Sequence, residues 1–430
     1  MSLPDGPKVI PYLHSLKWRG RFLEFLDYCA QVYGGVFTFQ VLGNRPFVVI
    51  SDPQAVKEIF TAPVGVFDSG KANQAFSRLL GTNSLLVLDG IQHQKERRLL
   101  TPPFHGDHLR TYSHIICKIT QQEISHWAIN QPFIIRSQVQ VITLRIILQV
   151  VFGSEQGEQV QQLNQCLISL IDSFISPFLW RRLSFFRTKQ QLDELIYKEI
   201  HQRRQQQANP HIADILNLLL TARDESGQQM TDEEIRDELI TLIMAGYETT
   251  TTAVLWALYW VAKLPEICEK LQSELDTLGE NPPFTEIAQL PYLTAVCSEA
   301  LRMYSITGFT FDRIVKEPLS IMGYEFEPGV VLSPCAYLTH QRNDVYPEPK
   351  QFKPERFLER QFSPYEYYPF GGGNRRCIGM AFAQLEIKLV LATIFSRLRL
   401  SLVSRQPVRP VNRGITLTTP LNLRMIATSK

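Results

Sequence analysis

The chain has 430 residues, of which 44% are hydrophobic and 20% charged, the proportions expected of a globular protein. A formal net charge of +2 is too small to indicate a nucleic-acid-binding protein. The seven cysteines are odd in number, widely spaced and include no C-x-x-C pair, which argues against a disulfide framework or a cysteine zinc site and favours a reducing compartment.

The N-terminus begins with an extended, turn-rich arm, Leu3–Pro7. It carries no charged-then-apolar signal pattern, and we find no apolar run that approaches the roughly 18 residues of a membrane span. We therefore expect a cytoplasmic protein without a transmembrane segment.

The periodicity of apolar residues predicts a mainly α protein with small β-sheets. A hairpin is expected between Val36 and Asp52, with its turn at 43–46, followed by helices up to about Met303. A second strand-rich patch is expected over Leu319–Pro334. We expect one domain, 1–430, made of a strand-rich part of about 1–60, a helical body of about 61–304 and a β-rich part with a cysteine loop of about 305–430.

The longest predicted helix begins at a capping box formed by Thr231 and Glu234, and its apolar character persists to about Ala262. Such a helix is about 48 Å long and is buried on most sides. Its centre holds Gly246 and four consecutive threonines, all poor helix formers, which predicts a local distortion.

Chemistry is concentrated at this centre. Ala245 and Gly246 are small enough to leave a groove for a small ligand. The hydroxyl of Thr249 can reach the carbonyl four residues back or turn toward a ligand, and Glu248 supplies a carboxylate for proton transfer. Without other evidence, a kinked core helix explains the same residues.

Two further pairs lie on predicted helices. His93 and Arg97 are four residues apart, and Glu299 and Arg302 are three apart, so each pair shares a helix face. A solvated ion pair is the simplest interpretation of the second pair, but its neighbours are apolar. A buried pair needs a third polar partner, which Arg356 in the segment 352–357 offers.

The strongest signal is the segment 370–379, F-G-G-G-N-R-R-C-I-G, which lies directly before a predicted helix. A metal-bound cysteine is a thiolate, and the amides that open a helix favour negative charge. Gly371, Gly372, Gly373 and Gly379 allow close approach to a flat macrocycle, and Phe370 can shield the sulfur from water. Cys377 is therefore a candidate metal ligand, and a thiolate bound to haem iron would favour cleavage of the O–O bond.

This segment resembles the F-x-x-G-x-R-x-C-x-G signature of the cytochrome P450 family at every fixed position. The 245–250, 299–302 and 354–357 segments resemble further elements of that family. The resemblance implies the family's α-rich fold, with haem b between the long helix and the cysteine loop. It implies that Cys377 is the axial ligand, that Thr249 and Glu248 are the alcohol–acid pair that protonates dioxygen, and that Glu299, Arg302 and Arg356 form a structural network. His93, Arg97, Arg313 and Arg375 match positions that contact the haem propionates.

A mono-oxygenase of this kind needs electrons. The chain contains no flavin domain and no iron–sulfur cysteine cluster, so we expect a separate ferredoxin or flavodoxin with its reductase. Arg98, Arg360 and Arg376 could form a basic face for such an acidic partner. We expect the protein to act as a monomer.

The candidate pocket lining is apolar, which favours a lipophilic substrate. Its predicted residues are Phe67, Phe174, Phe178, Met244, Ile306, Phe309, Phe311, Ile415 and Leu417. The N-terminal arm and the length are similar to those of soluble cyanobacterial members, which include long-chain fatty-acid and terpenoid hydroxylases, and a fatty acid ranks first.

Two other functions remain open at this point. A peroxide-driven peroxygenase or isomerase would keep the haem but tolerate loss of Thr249 and need no reductase. A haem-binding sensor would show no turnover.

Overall fold

The structure is a computed structural model that describes residues 3–7, 21–39, 45–153, 158–175, 179–206, 214–279 and 282–430. Backbone contacts divide the chain into two compact units. The first unit comprises Met1–Phe76, Leu86–Gln94 and Ser298–Cys377. The second unit comprises Ser77–Leu85, Lys95–Cys297 and Ile378–Lys430.

Helices dominate the described residues, which confirms the predicted fold class. The α-helices are α1 (Phe22–Tyr33), α2 (Pro53–Thr61), α3 (Ser69–Ala72), α4 (Ser77–Leu80), α5 (Gly90–Leu100), α6 (Asp107–Ile124), α7 (Ile135–Phe152), α8 (Glu158–Ile175), α9 (Leu179–Gln205), α10 (Ile215–Thr221), α11 (Asp232–Lys263), α12 (Pro265–Leu275), α13 (Phe284–Gln289), α14 (Pro291–Met303), α15 (Ala336–His340), α16 (Arg356–Glu359) and α17 (Met380–Phe395).

The strands are short. They are β1 (Val36–Phe39), β2 (Phe47–Ile50), β3 (Phe67–Asp68), β4 (Pro132–Ile134), β5 (Arg313–Val315), β6 (Leu319–Ile321), β7 (Tyr324–Phe326), β8 (Val331–Pro334), β9 (Leu398–Leu402), β10 (Val411–Arg413), β11 (Thr416–Thr418) and β12 (Arg424–Ser429).

The first unit is built on a five-stranded sheet in the order β1-β2-β8-β5-β3. The predicted hairpin is present as the antiparallel pair β1–β2, in which Val36 lies opposite Ile50. Residues 43 and 44 of its expected turn fall outside the described residues. The sheet packs on α2 through a buried cluster that includes Val48, Val56 and Leu332.

The second unit is organised around α11, a helix of 32 residues whose capping box is formed by Thr231 and Glu234 as predicted. It packs against α7, α9 and α17 and against β9 and β11. The helix is continuous from Asp232 to Lys263, so any distortion at Gly246 does not interrupt it.

Helix α7 bears on the expectation that no apolar run approaches the length of a membrane span. Its 18 residues have a mean hydropathy of 1.3, so by length and composition it could cross a membrane. However, 67% of the helix is buried inside the protein, where it packs against α6 and α11. Such burial is typical of a core helix.

Candidate active site

The cysteine loop of the first unit is closed by backbone hydrogen bonds. The amide of Cys377 donates to the carbonyl of Phe370 at 2.9 Å, and the amide of Arg376 donates to the carbonyl of Gly373 at 3.2 Å. Gly371 and Gly373 have φ values of 67° and 64°, a left-handed conformation that favours glycine. The loop is therefore a fixed turn that presents Cys377 just before α17.

Packing against α2 explains two of these glycines. A Cβ atom at Gly372 would lie 2.0 Å from the Phe60 ring, and one at Gly373 would lie 2.5 Å from the Phe60 carbonyl oxygen. The sequence interpretation attributed the glycines to close approach of a macrocycle, whereas the structure shows that the polypeptide itself requires them at 372 and 373. At Gly379 an added Cβ would meet no atom within 4 Å, which leaves room there for a ligand.

The seven cysteines differ in their exposure, and only Cys377 is exposed. Burial raises the pKa of Cys29, Cys297 and Cys335 to about 12 and that of Cys117 to about 11. These thiols are protonated at neutral pH, as expected of small buried apolar groups. Cys377 is thus the cysteine best placed to bind a metal from solution as a thiolate.

Three basic side chains of the first unit are buried. His93, Arg313 and the side chain of Arg375 are 3%, 3% and 6% exposed. Burial, together with the positive charge of Arg375, lowers the pKa of Arg313 to about 9. Two buried guanidinium groups that repel each other are suited to an anionic ligand. Arg97, one turn after His93 on α5, is half-buried.

One face of α11 is open. Between residues 235 and 259, every residue is buried except Met244, Ala245, Gly246 and Thr249. The hydroxyl of Thr249 donates to the Ala245 carbonyl oxygen at 2.5 Å, the back-bond expected from the sequence. Since Thr250 to Thr252 are buried, Thr249 is the one threonine of the four that a ligand on this face could contact.

Glu248 lies on the buried side of the same helix. Its Oε1 atom accepts a hydrogen bond from Arg136 at 3.0 Å and lies 3.3 Å from Arg413. Its Oε2 atom has no hydrogen bond with the described residues. The two arginines therefore hold the carboxylate in place at its Oε1 atom.

The predicted charge network is assembled in the interior of the first unit. Arg302 donates to both oxygens of Glu299, at 2.6 and 2.9 Å, and Arg356 donates to Glu299 Oε1 at 3.1 Å. The amide of Lys353 also donates to Oε1, at 2.8 Å, and Arg302 donates to the His340 carbonyl at 2.6 Å. The additional donors and acceptors offset the cost of burying these charges.

The predicted pocket residues lie in different environments. Ile306 and Leu417 are buried, Phe67, Phe311 and Met244 are half-buried, and Ile415 is 53% exposed. Phe309 packs against Phe22 and Phe47, with ring centroids 6.3 and 6.2 Å apart, and so belongs to the core. Phe178 and the side chain of Phe174 lie outside the part of the chain that the structure describes.

The basic face expected for an electron donor is partly neutralised. Arg98 forms an ion pair with Glu225, and Arg360 forms one with Glu366 at 2.6 Å. Arg376 is exposed and has no ion pair with the part of the chain that the structure describes.

Several functional candidates were missed from the sequence. Arg136 and Arg413 contact Glu248 but are more than 100 residues away from it, so no local pattern relates them. Asp89, which accepts a hydrogen bond from Arg375 at 2.5 Å, carried a local signal, since it lies four residues before His93.

The comparisons with known proteins agree with this geometry. The family model described as Cytochrome P450 matches residues 4–426. A protein named cytochrome P450 135B1 of Mycobacterium tuberculosis is 35% identical over 425 residues, which cover 95% of this chain and 88% of that protein. A protein named cytochrome P450 137 of the same organism is 33% identical over 400 residues, covering 90% and 81%.

Two solved structures are similar over the full length of the chain. The haem domain of cytochrome P450DA superposes with a TM-score of 0.89 at 24% identity and is covered to 98%. Retinoic acid bound cyanobacterial CYP120A1 superposes with a TM-score of 0.84 at 26% identity and is covered to 100%.

The chain therefore belongs to the cytochrome P450 family. It is a haem-binding mono-oxygenase. The residues present fit haem, because the first unit offers an exposed cysteine for iron and a buried pair of guanidinium groups for carboxylates.

Proposed function

We propose that this mono-oxygenase oxidises a lipophilic carboxylic acid of the long-chain fatty-acid or terpenoid type, with electrons from a separate ferredoxin or flavodoxin. The observation that carries the substrate class is the likeness to retinoic acid bound cyanobacterial CYP120A1, which extends over the whole of both chains. Retinoic acid combines a terpenoid tail with a carboxylate. The apolar character of Phe67, Phe311 and Met244 suits such a tail.

Cys377 would be the iron ligand. It is the one exposed cysteine, and its amide and the glycines before it fix the loop that carries it. Arg313 and Arg375, with His93 and Arg97, would bind the haem carboxylates. Bound haem supplies the activation of dioxygen, which the side chains of the protein cannot perform.

Thr249 and Glu248 would manage the protons that cleavage of dioxygen consumes. The Thr249 hydroxyl lies on the open face of α11 and can exchange its 2.5 Å bond to Ala245 for one to a bound molecule. Glu248 is the nearest acid in sequence; Arg136 and Arg413 lie against its Oε1 atom, and no described residue is hydrogen-bonded to Oε2. Its Oε2 atom would accept and release the proton.

Arg376 would contribute most to docking of the electron donor, because it is exposed and not engaged in an ion pair with the described residues. Arg98 and Arg360 would contribute less, since Glu225 and Glu366 neutralise them. An acidic ferredoxin or flavodoxin suits such a surface. The protein would act in the cytoplasm as a monomer.

Titration with retinoic acid, palmitic acid and their methyl esters tests the substrate class. The acids are expected to change the spin state of the haem on binding and to yield hydroxylated products only with dioxygen, ferredoxin and ferredoxin reductase. Neutral terpenes form the control panel. If only the neutral compounds bind and are oxidised, the carboxylic-acid assignment is wrong.

A further inference from the structure

Asp89 joins two segments of the first unit that are far apart in sequence. Its Oδ1 atom accepts hydrogen bonds from the amide of Gly70 at 2.8 Å and from the guanidinium of Arg375 at 2.5 Å. Its Oδ2 atom accepts from the amide of Lys71 at 2.8 Å. One carboxylate therefore contacts both the cysteine loop and the start of α3.

Close packing supports this connection. A Cβ atom at Gly70 would lie 2.4 Å from the carbonyl oxygen of Val87 and 2.5 Å from that of Leu88. Arg375 donates to the same Leu88 carbonyl at 2.6 Å. The backbone that directly precedes Asp89 therefore has little room to move relative to Gly70 or to Arg375.

The same segment also contacts the strand that carries Arg313, the second buried arginine. Strand β3, which precedes Gly70, pairs with β5, so that Phe67 lies opposite Val315 and Asp68 opposite Ile314. Strand β5 begins at Arg313. Asp89 therefore connects Arg375 to the segment 67–71, and strand pairing connects that segment to the strand that begins at Arg313.

The negative charge of Asp89 also stabilises the two buried arginines. Arg375 is buried with Arg313 nearby, and a buried guanidinium that loses its carboxylate partner leaves an uncompensated charge. Asp89 forms an ion pair with Arg375 and also acts favourably on Arg313, so its negative charge offsets the repulsion between the two arginines.

We propose that Asp89 is a positioning residue, which holds Arg375 in place for a haem carboxylate and couples this contact to the pocket segment Phe67–Lys71. The proposal rests on the proposed assignment of Arg375 to a haem carboxylate and of Phe67 to the pocket. Asp89 itself touches neither haem nor substrate.

The test compares Asp89→Asn with Asp344→Asn in the haem-loaded protein. Asp344 is an exposed carboxylate of the same unit that accepts hydrogen bonds from Arg342 at 3.0 and 2.6 Å, so its loss serves as a matched control. Two quantities are measured in each protein: the rate of haem transfer to apomyoglobin, and the hydrogen exchange of the Gly70 and Lys71 amides.

Asp89→Asn is expected to release haem about tenfold faster, as is typical when a partner of a ligand-binding side chain is removed. It is also expected to exchange the Gly70 and Lys71 amides faster, while Asp344→Asn changes neither the haem release rate nor this exchange. Asp89→Glu keeps the negative charge, so its haem release should lie closer to the wild-type rate. If Asp89→Asn does not fold, Asp89→Glu is compared with the control variant in its place.

Equal rates of haem release from the Asp89→Asn and Asp344→Asn proteins would overturn the proposal. Faster haem release with unchanged exchange at Gly70 and Lys71 would refute the coupling to the pocket segment. A wild-type protein that takes up no haem would instead refute the proposed function, so the two failures are distinguishable.

Discussion

Arg302 donates two hydrogen bonds to Glu299, at 2.6 and 2.9 Å, and neither side chain is exposed to solvent. Arg356 adds a third bond to the same carboxylate. Replacing Glu299 by glutamine leaves two buried guanidinium groups without a counter-charge, so it should lower the free energy of unfolding by about 3–5 kcal/mol. Denaturant unfolding measures this change.

The exposed pair Arg21–Glu24 provides the control, because it has the same three-residue spacing and a separation of 3.7 Å. Glu24→Gln should cost less than about 1 kcal/mol. If Glu299→Gln and Glu24→Gln lower the free energy of unfolding by similar amounts, burial does not strengthen the Glu299 network.

His340 should make stability depend on pH. Burial, with the positive charge of Arg302, lowers the pKa of His340 to about 3. Its ring accepts a hydrogen bond from the Tyr368 amide at 3.1 Å and contacts Ser305 at 2.8 Å. The unfolded chain gains a proton at this residue below about pH 6.5, whereas the folded protein does not.

The stabilisation is therefore complete above about pH 6.5 and is lost as the pH falls toward 3, at about 1.4 kcal/mol per pH unit. Unfolding free energies at pH 7 and pH 4.5 should differ less in His340→Asn than in the wild type. The same replacement at exposed His126 should leave the difference unchanged. An unaltered pH dependence in His340→Asn contradicts the assignment.

Gly372 should not tolerate a side chain. A methyl group there would overlap the ring of Phe60, so Gly372→Ala should destabilise the protein by about 1–3 kcal/mol. Thermal unfolding is the measurement, with Gly279→Ala as the control, because an added Cβ at Gly279 meets no atom within 4 Å. The second substitution Phe60→Leu should restore part of the stability. Absence of any recovery in the double variant argues against the overlap.

Thr249→Ala should separate electron consumption from product formation. Loss of a positioned proton donor typically costs about 100-fold, so product formed with dioxygen and reductant should fall by that order while reductant is still consumed. Hydrogen peroxide supplies its own protons, and turnover driven by it should persist.

Thr250→Ala is the matched control, since Thr250 is the adjacent threonine and is buried. Product and reductant are quantified together in both variants. If Thr249→Ala forms as much product per reductant consumed as Thr250→Ala does, the Thr249 hydroxyl has no role in proton delivery. That result would favour chemistry without a proton relay.

The sequence predicts structure best where the signal is local. The capping box of α11 spans only four residues and is present as predicted. The residues around Cys377 occupy consecutive positions and form a turn before a helix, while the role of Cys377 as an iron ligand stays a prediction. The pairing of Glu299 with Arg302 follows from helical spacing, although burial of the pair depends on segments 38 to 57 residues further along the chain.

Contacts between distant segments could not be predicted in the same way. Asp89 meets Gly70 and Arg375, which are 19 and 286 residues away, and nothing in a local window relates them. Strands β3 and β4 contain only two and three residues, too few to show an alternating pattern within a helical region. The expected basic face was overestimated because the partners of Arg98 and Arg360 become apparent only in the fold.

The most direct measurement is the absorption spectrum of the reduced protein under carbon monoxide, recorded for the wild type, Cys377→Ser and Cys268→Ser. Thiolate ligation by Cys377 predicts a strongly red-shifted Soret band in the wild type and in Cys268→Ser, and its disappearance in Cys377→Ser. A red-shifted band that survives in Cys377→Ser would contradict the assignment of the iron ligand.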